Sequence, residues 1–234
     1  MSKKNENLSN LERDLNLKFN NKNILQTAFT HRSYLNENKN YNCQSNERME
    51  FLGDAVLQHI TSKYLYDKFP NKPEGTLTSY RSATVNTKSL WETALKMGLG
   101  KYLLMSVGEE QTGGRERPYI LANTFEALLG AIYLDLGLKT AKYFVHKHLF
   151  PKIPEIIKNK DYKDPKSYLQ EIVQEKYFAT PSYKILKEEG PDHEKTFTAG
   201  VYFSEKLVTK GKGNSKQRAE EDAARKALKL EGKD

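Results

Sequence analysis

The 234-residue chain has a single cysteine, Cys43, which excludes an intramolecular disulfide framework. Signal-peptide character is also lacking, because residues 1–10 are polar and charged. No apolar run is long enough to cross a membrane, since polar residues and two glycines interrupt the longest candidate, Leu121 to Leu138. These absences predict a cytoplasmic protein with no membrane partner.

Acidic residues are outnumbered, with 30 Asp and Glu against 38 Lys and Arg, and the formal net charge is +8. This balance favours a polyanionic partner, but it does not separate nucleic acid from an anionic membrane or from plain solubility. The local distribution is more informative, because residues 206–218 hold five basic side chains and no acid. These basic residues are Lys206, Lys210, Lys212, Lys216 and Arg218.

Three acids, Glu47, Glu50 and Asp54, fall at i, i+3 and i+7, so a helix places them on one face within an arc of about 60°. A solvated helix face is the ordinary interpretation of such a group. Apolar residues border this face, however, and argue against a fully solvated position. The predicted core stripe is Met49, Leu52, Val56 and Ile60, with Phe51 and Leu57 just outside the edges of the acidic face.

Carboxylates crowded into an apolar setting repel one another and lose hydration, so they need protons or a cation to neutralise them. Oxygen ligands with no Cys or His nearby suit a hard divalent ion such as Mg²⁺ or Mn²⁺. The acidic stretch therefore predicts a metal site.

The stretch from Asn46 to Ala55 resembles the signature of the ribonuclease III family, endonucleases specific for double-stranded RNA. In that family an acid before Gly and a Leu-containing helix belongs to the catalytic cluster, and Glu74 matches it. His31 opens another matching stretch, but no acid or cysteine is placed to form a triad with it. We expect a structural role for His31.

A second stretch with candidate site residues runs from Leu121 to Leu134. It is apolar enough to predict a helix that is buried on nearly all sides. Asn123 and Glu126 share one face of it and could close an oxygen cage with Glu50 and Asp54. The alternative is a buried Glu126 paired with Arg or Lys. The family usually has Asp where Asn123 stands, and we interpret the amide, which brings no charge, as tuning of the site.

The resemblance assigns two overlapping roles to these residues. The metal ligands it implies are Glu50, Asp54, Asn123 and Glu126. The catalytic acids it implies are Asp54, Glu126, Glu47 and Glu74. Between the acidic stretch and the Leu121 to Leu134 stretch, Gly113-Gly114-Arg115 is expected to form a solvated turn.

Composition predicts a domain boundary, with a catalytic domain over residues 1–158, a linker over 159–163 and a second domain over 164–234. The last segment is predicted to form a helix from Pro165, three strands, and a helix from Lys216 capped by Ser215. Its order and local motifs resemble a double-stranded-RNA-binding domain. The fold class expected is thus an all-α domain followed by a small α+β domain.

Double-stranded RNA is recognised through 2′-hydroxyls in its minor groove and through phosphates, because its base edges lie in a deep major groove. Gln170 and Gln174, one helical turn apart, are predicted to face one minor groove, and the His193 loop the next. Lys212, Lys216 and Gln217 are predicted to meet phosphates at a helix N-terminus. Family members commonly carry Lys where Gln217 stands, so the phosphate contact is expected to be weaker here.

The leading hypothesis is a double-stranded-RNA endoribonuclease of the ribonuclease III type. The resemblance implies a homodimer that uses Mg²⁺, or Mn²⁺ in its place, and no small-molecule cofactor. Cleavage would leave 5′-phosphate and 3′-hydroxyl ends with a short 3′ overhang, in ribosomal RNA precursors and some mRNAs. One alternative is a non-cleaving duplex-RNA-binding protein that retains the fold, and another is a metal phosphohydrolase for small nucleotides.

Overall fold

The computed structural model describes residues 3–160, 162–191 and 194–232. The chain divides into two compact units, with the division between Ile156 and Ile157. Among the described residues, 3–158 form helices joined by turns and loops, with one isolated bridge between Thr30 and Leu104. The helices are α1 Lys3–Leu15, α2 Lys22–Ala28, α3 Arg32–Glu37, α4 Glu47–Lys68, α5 Glu74–Val85, α6 Thr87–Lys96, α7 Val107–Gln111, α8 Pro118–His148 and α9 Ile153–Lys158.

Helix α8 forms the centre of the first unit, as its apolar sequence predicts. Both Phe125 and Leu128 are fully buried, and Gly137 interrupts the helix with φ 81° and ψ 172°, a conformation open only to glycine. By length and composition the stretch Pro118–Lys158 could also cross a membrane, but 61% of its apolar window is buried inside the fold. That burial is typical of the core helix of a globular domain.

Helices α4 and α8 pack against each other more extensively than any other pair of elements. Two glycines make this close approach possible. A Cβ added to Gly53 would lie 1.8 Å from the carbonyl oxygen of Glu126, and one added to Gly130 would lie 2.4 Å from that of Met49. The backbones of the two helices are therefore in direct contact, beside the acidic residues that both helices carry.

The second unit is an α-β-β-β-α domain, so the predicted fold class is confirmed. Its antiparallel sheet has the order β1-β2-β3. Helices from both ends of the domain pack against the sheet and bury Leu169, Val173, Val201 and Ala223. The elements are α10 Pro165–Tyr177, β1 Pro181–Glu189, β2 Thr196–Phe203, β3 Lys206–Gly213 and α11 Lys216–Leu230.

Two details of the sequence interpretation are wrong. Phe51, expected at an apolar border, is 80% exposed, whereas Leu57 is fully buried in the core. The border was predicted from helical spacing alone, which does not say whether another element covers a given face. The turn at Arg115 is not merely solvated either, because its guanidinium donates to the carbonyls of Gly100 and Leu103 and pairs with Glu110.

Candidate active site and nucleic-acid interface

The acidic site forms where the first two turns of α4 meet the N-terminal part of α8. Glu50 and Asp54 lie on α4 on either side of Gly53, and Glu126 is the α8 residue whose backbone touches that glycine. Residues far apart in the sequence are thereby brought together.

Glu126 is the most perturbed acid of the site. Burial, the larger cause, and repulsion from the neighbouring Asp54 and Glu50 carboxylates together raise the pKa of its carboxyl to about 8. Within the described residues Glu126 has no ion-pair or hydrogen-bond partner, so the alternative of a Glu paired with Arg or Lys does not hold. A carboxyl held in this way carries a proton or needs a cation.

Glu50 and Asn123 are linked across the two helices. Burial raises the pKa of Glu50, the hydrogen bond donated by the Asn123 amide acts to lower it, and Glu47 and Asp54 raise it again. The net direction is upward. The amide that replaces the family's usual acid therefore relieves part of the repulsion around Glu50, where a further carboxylate would add to it.

The other two candidate site acids on α4, Glu47 and Asp54, are more exposed than Glu50. Asp54 accepts a hydrogen bond from Gln58 Nε2 at 3.2 Å. Glu47 accepts one from Ser45 Oγ at 2.9 Å and pairs with Arg32 at 3.5 Å, so it faces the edge of the site. Asp54 lies next to the partly buried Glu50 and Glu126, whereas Glu47 acts on the site mainly through its charge on Glu50.

Glu74 is not brought to the other acids within one chain. It begins α5, beyond the far end of the 22-residue α4, which at about 1.5 Å per residue is about 33 Å long. Helix α5 runs back along α4, as the hydrogen bond from Arg81 to Ser62 indicates. Glu74 itself accepts a hydrogen bond from Thr78 and is exposed.

His31 caps helix α3, where its Nδ1 accepts the Ser33 amide at 3.3 Å. Partial burial lowers the pKa of the imidazole. This position agrees with the structural role expected from the sequence.

The donor set fits a hard divalent cation in its chemistry. Glu50, Asp54, Asn123 and Glu126 can bind a hard cation through oxygen atoms, and the raised pKa of Glu126 indicates a carboxyl that no described residue neutralises. Among the described residues, no three His, Cys, Asp or Glu side chains converge closely enough to form a ready-made metal site.

The predicted RNA-contacting residues lie on two parts of the second unit. Gln170 and Gln174 are exposed on α10, one turn apart. Lys212, Lys216 and Gln217 are exposed around the N-terminus of α11, where Ser215 caps the helix by accepting the Arg218 amide. His193 lies outside the described residues.

Two family comparisons match the two units separately. The Ribonuclease-III-like family matches residues 21–153, and the double-stranded RNA binding motif matches residues 165–231. Ribonuclease 3 of Desulforamulus reducens is 46% identical over 99% of this chain and 95% of its own length. Ribonuclease 3 of Borreliella afzelii is 47% identical over 95% of this chain and 90% of its own length.

The chain belongs to the ribonuclease III family. Among solved structures it resembles the nuclease domain of ribonuclease III from Campylobacter jejuni, a structure that addresses flexibility in a region involved in dimer formation. The TM-score is 0.56 and the identity 42%, with 62% of this chain and 96% of that one covered. The chain is accordingly a double-stranded-RNA endoribonuclease with a nuclease domain and an RNA-binding domain.

Sequence reasoning missed the side chains that fasten the start of α8 in this ribonuclease III nuclease domain. Arg117 pairs with Glu109 and donates to the carbonyl of Thr112 at 2.9 Å, directly before Pro118 begins the helix. With the Arg115 contacts, it anchors the turn that leads to Asn123 and Glu126. The paired glycines before Arg115 were the available signal, because Gly113 has φ 80°.

Proposed function

We propose that this chain cleaves duplex RNA with Mg²⁺, or with Mn²⁺ in its place, at the Glu50–Asp54–Asn123–Glu126 site. The observation that carries the proposal is Glu126, a partly buried carboxyl of pKa about 8 that has no cationic partner among the described residues and lies beside two further carboxylates. A divalent ion would neutralise this group, and family members are generally metal-dependent.

In this proposal Glu50, Asp54 and Glu126 would supply carboxylate oxygens to the ion and Asn123 would supply its amide oxygen. When bound, the ion would lower the pKa of an attacking water and screen the phosphate. Asp54 and Glu126 are the acids that hold and orient that water, and Glu47 extends the negative field at the edge. Attack on phosphorus breaks the bond to the 3′-oxygen, which takes a proton, so that 5′-phosphate and 3′-hydroxyl ends result.

We further propose a homodimer in which each subunit cuts one strand and the staggered cuts leave a short 3′ overhang. Three observations support it. Phe51 is 80% exposed beside the acidic site, Glu74 is separated from the acids of its own chain, and the related Campylobacter nuclease domain has a region involved in dimer formation. Glu74 would then complete the acid cluster of a second subunit. Sedimentation equilibrium that gives only monomer at working concentration would overturn this assembly.

The cellular role proposed is maturation of ribosomal RNA precursors and some mRNAs in the cytoplasm. It rests on analogy with the family. Accumulation of uncleaved precursor in cells that carry only the Glu126→Gln protein is the expected result, and normal precursor levels there would contradict it.

The deciding experiment measures cleavage of a long end-labelled RNA duplex in Mg²⁺, in Mn²⁺ and with both chelated. Glu126→Gln is expected to lower the rate at least about 10²-fold while duplex binding persists, because it removes a ligand and a charge that act at the reacting phosphate. The matched control is Glu155→Gln, the same change at an exposed position of α9, which should cleave like the unaltered chain. Asn123→Asp then measures how far the amide tunes the rate.

The alternative, a duplex-RNA-binding protein that does not cleave, is motivated by Asn123 and predicts a different pattern. It requires tight duplex binding without scission in either metal, and scission restored by Asn123→Asp. Metal-dependent scission by the unaltered chain would exclude it.

A further inference from the structure

Two lysines from separate elements of the RNA-binding domain meet at one carboxylate. Lys195, in the turn before β2, pairs with Glu188 Oε2 at 3.6 Å, and Lys216, the first residue of α11, pairs with Glu188 Oε1 at 3.3 Å. Glu188 lies near the end of β1. Lys216 belongs to the predicted phosphate contacts, whereas Lys195 does not.

The sheet register places these three residues at the same end of the domain. Glu188 is opposite Phe197 on β2, and Phe197 is opposite Gly213 on β3. The ammonium group of Lys216 lies 5.9 Å from the centre of the Phe197 ring. A Cβ on Gly213 would lie 2.6 Å from the Ala219 amide, so the first turn of α11 is held tightly on this end of the sheet.

The pairing is weak enough for RNA to replace it. The side chain of Lys216 is 62% exposed and those of Lys195 and Glu188 are each 37% exposed. Exposed ion pairs contribute about 0 to 1 kcal/mol because water and salt screen them. A phosphate offers the same anionic oxygens as a carboxylate, and two converging ammonium groups already surround that position.

We propose that Lys195 is a second phosphate-binding residue that acts as a pair with Lys216, and that Glu188 occupies the phosphate position when RNA is absent. The inference rests on the proposed action on duplex RNA and on the phosphate contact predicted from the sequence at the N-terminus of α11. It adds the turn before β2 to that contact and assigns Glu188 as the competing anion.

The test is binding of a labelled RNA duplex by fluorescence anisotropy, with divalent metals chelated and KCl varied. Lys195→Gln and Lys216→Gln are each expected to lower the slope of log Kd against log salt by about one, and the double variant by about two, because each lost phosphate contact releases about one counterion fewer. Lys195→Arg should restore the slope. The matched control is Lys229→Gln, which removes the same charge in the last turn of α11, at the other end of the helix from Lys216, and should leave the slope unchanged.

The outcomes separate the inference from the function on which it rests. If Lys216→Gln lowers the slope and Lys195→Gln behaves like Lys229→Gln, the inference is overturned and the proposed contact stands. If the unaltered chain shows no salt-dependent duplex binding, both are overturned.

Glu188→Gln tests the role assigned to the carboxylate. We expect it to tighten duplex binding about threefold in the unaltered chain, because the phosphate no longer has to displace a competitor. In the Lys195→Gln/Lys216→Gln background the gain should disappear. An equal gain in both backgrounds would show that Glu188 acts by general repulsion, which would overturn its assignment as the competing anion.

Discussion

Glu126 in the nuclease domain and Lys216 in the RNA-binding domain are charged residues placed in opposite ways. Burial and two neighbouring carboxylates raise the pKa of Glu126 to about 8, and it has no cationic partner within the described residues. Lys216 is 62% exposed and already paired with Glu188. The nuclease domain thus concentrates unfavourable charge that a ligand must relieve, whereas the RNA-binding domain offers cations that exchange one anion for another.

The acids themselves show the same contrast. In the nuclease site the pKa values of Glu50 and Glu126 are raised, chiefly by burial. In the RNA-binding domain the pKa of Glu189 is lowered by Lys187, and that of Glu231 by Lys176. Both domains nevertheless rely on glycines to bring backbones together, at Gly53 and Gly130 in one and at Gly211 and Gly213 in the other.

The largest effect is expected from Gly53→Ala, which tests the packing beneath the acidic site. Its Cβ would lie 1.8 Å from the Glu126 carbonyl oxygen, which belongs to helix backbone and cannot rotate away. We expect the free energy of unfolding of the nuclease domain to fall by about 3 kcal/mol or more. Trp91 is the only tryptophan of the chain and lies in α6, so its fluorescence follows unfolding of this domain alone.

Gly75→Ala is the matched control for that measurement. A Cβ at Gly75 meets nothing within 4 Å and the residue lies in the first turn of α5, so alanine should be neutral or stabilise by up to about 1 kcal/mol. If both alanine variants had the same free energy of unfolding, the close contact at Gly53 and Gly130 would not be needed for the packing of α4 against α8.

Gly211→Ala tests the corresponding contact in the RNA-binding domain and should cost about 2 to 3 kcal/mol. Its Cβ would lie 2.1 Å from the Ala223 amide and 2.3 Å from the Ala219 carbonyl oxygen. Hydrogen exchange of the β2 amides is the measurement, and faster exchange is expected there. The Trp91 transition is the internal control, and a parallel shift in it would mean that the two domains do not unfold independently.

The Glu126→Gln variant, studied with metals chelated, tests whether the partly buried carboxyl of the nuclease domain destabilises the fold at high pH. Because the carboxyl binds its proton more tightly in the folded chain, it favours folding fully below its ordinary pKa of 4.5, and this contribution is lost as pH rises through about 8. The variant should therefore be more stable than the unaltered chain at pH 9, by on the order of 2 kcal/mol, and similar to it at low pH. Trp91 fluorescence in urea at the two pH values measures this. An equal difference at both pH values would contradict the raised pKa.

Local signals were enough to predict the outline of both domains. Helix α10 begins at Pro165 because proline suits the first turn, and α11 follows Ser215 because the serine side chain accepts a backbone amide of that turn. The acids of α4 and Glu126 of α8 were also identifiable, since their spacing places them on single helix faces.

Contacts between distant residues were not predictable from such signals. Three such features depend on how the helices pack. Gly53 contacts the Glu126 backbone, Arg115 donates to the Gly100 carbonyl, and Glu74 lies away from the other acids. Phe51 illustrates the limit of periodicity, because spacing identifies a helix face without saying whether anything covers it. The Lys195–Glu188–Lys216 cluster depends likewise on strand register.

The smallest effect is expected from Asp222→Asn, which tests the opposite sign of pH dependence in the RNA-binding domain. Partial burial acts to raise the pKa of Asp222, but hydrogen bonds from Lys226 Nζ and the Lys212 amide outweigh it and hold the pKa below the ordinary 3.8. The carboxylate therefore stabilises this domain above that pH, and the contribution is lost as pH falls through the lowered pKa. Its side chain is 33% exposed, so we expect the substitution to cost less than about 1 kcal/mol at pH 7.

Hydrogen exchange of the α11 amides at neutral and acidic pH measures the Asp222 contribution, with Glu205→Gln, an exposed acid between β2 and β3, as the control. The difference between Asp222→Asn and the unaltered chain should shrink as the pH falls. Glu126→Gln behaves in the opposite way, since its effect grows as the pH rises. If both substitutions changed stability in the same direction with pH, the pKa values of Glu126 and Asp222 would not be shifted in opposite directions. Burial would then not explain the pH dependence of Glu126.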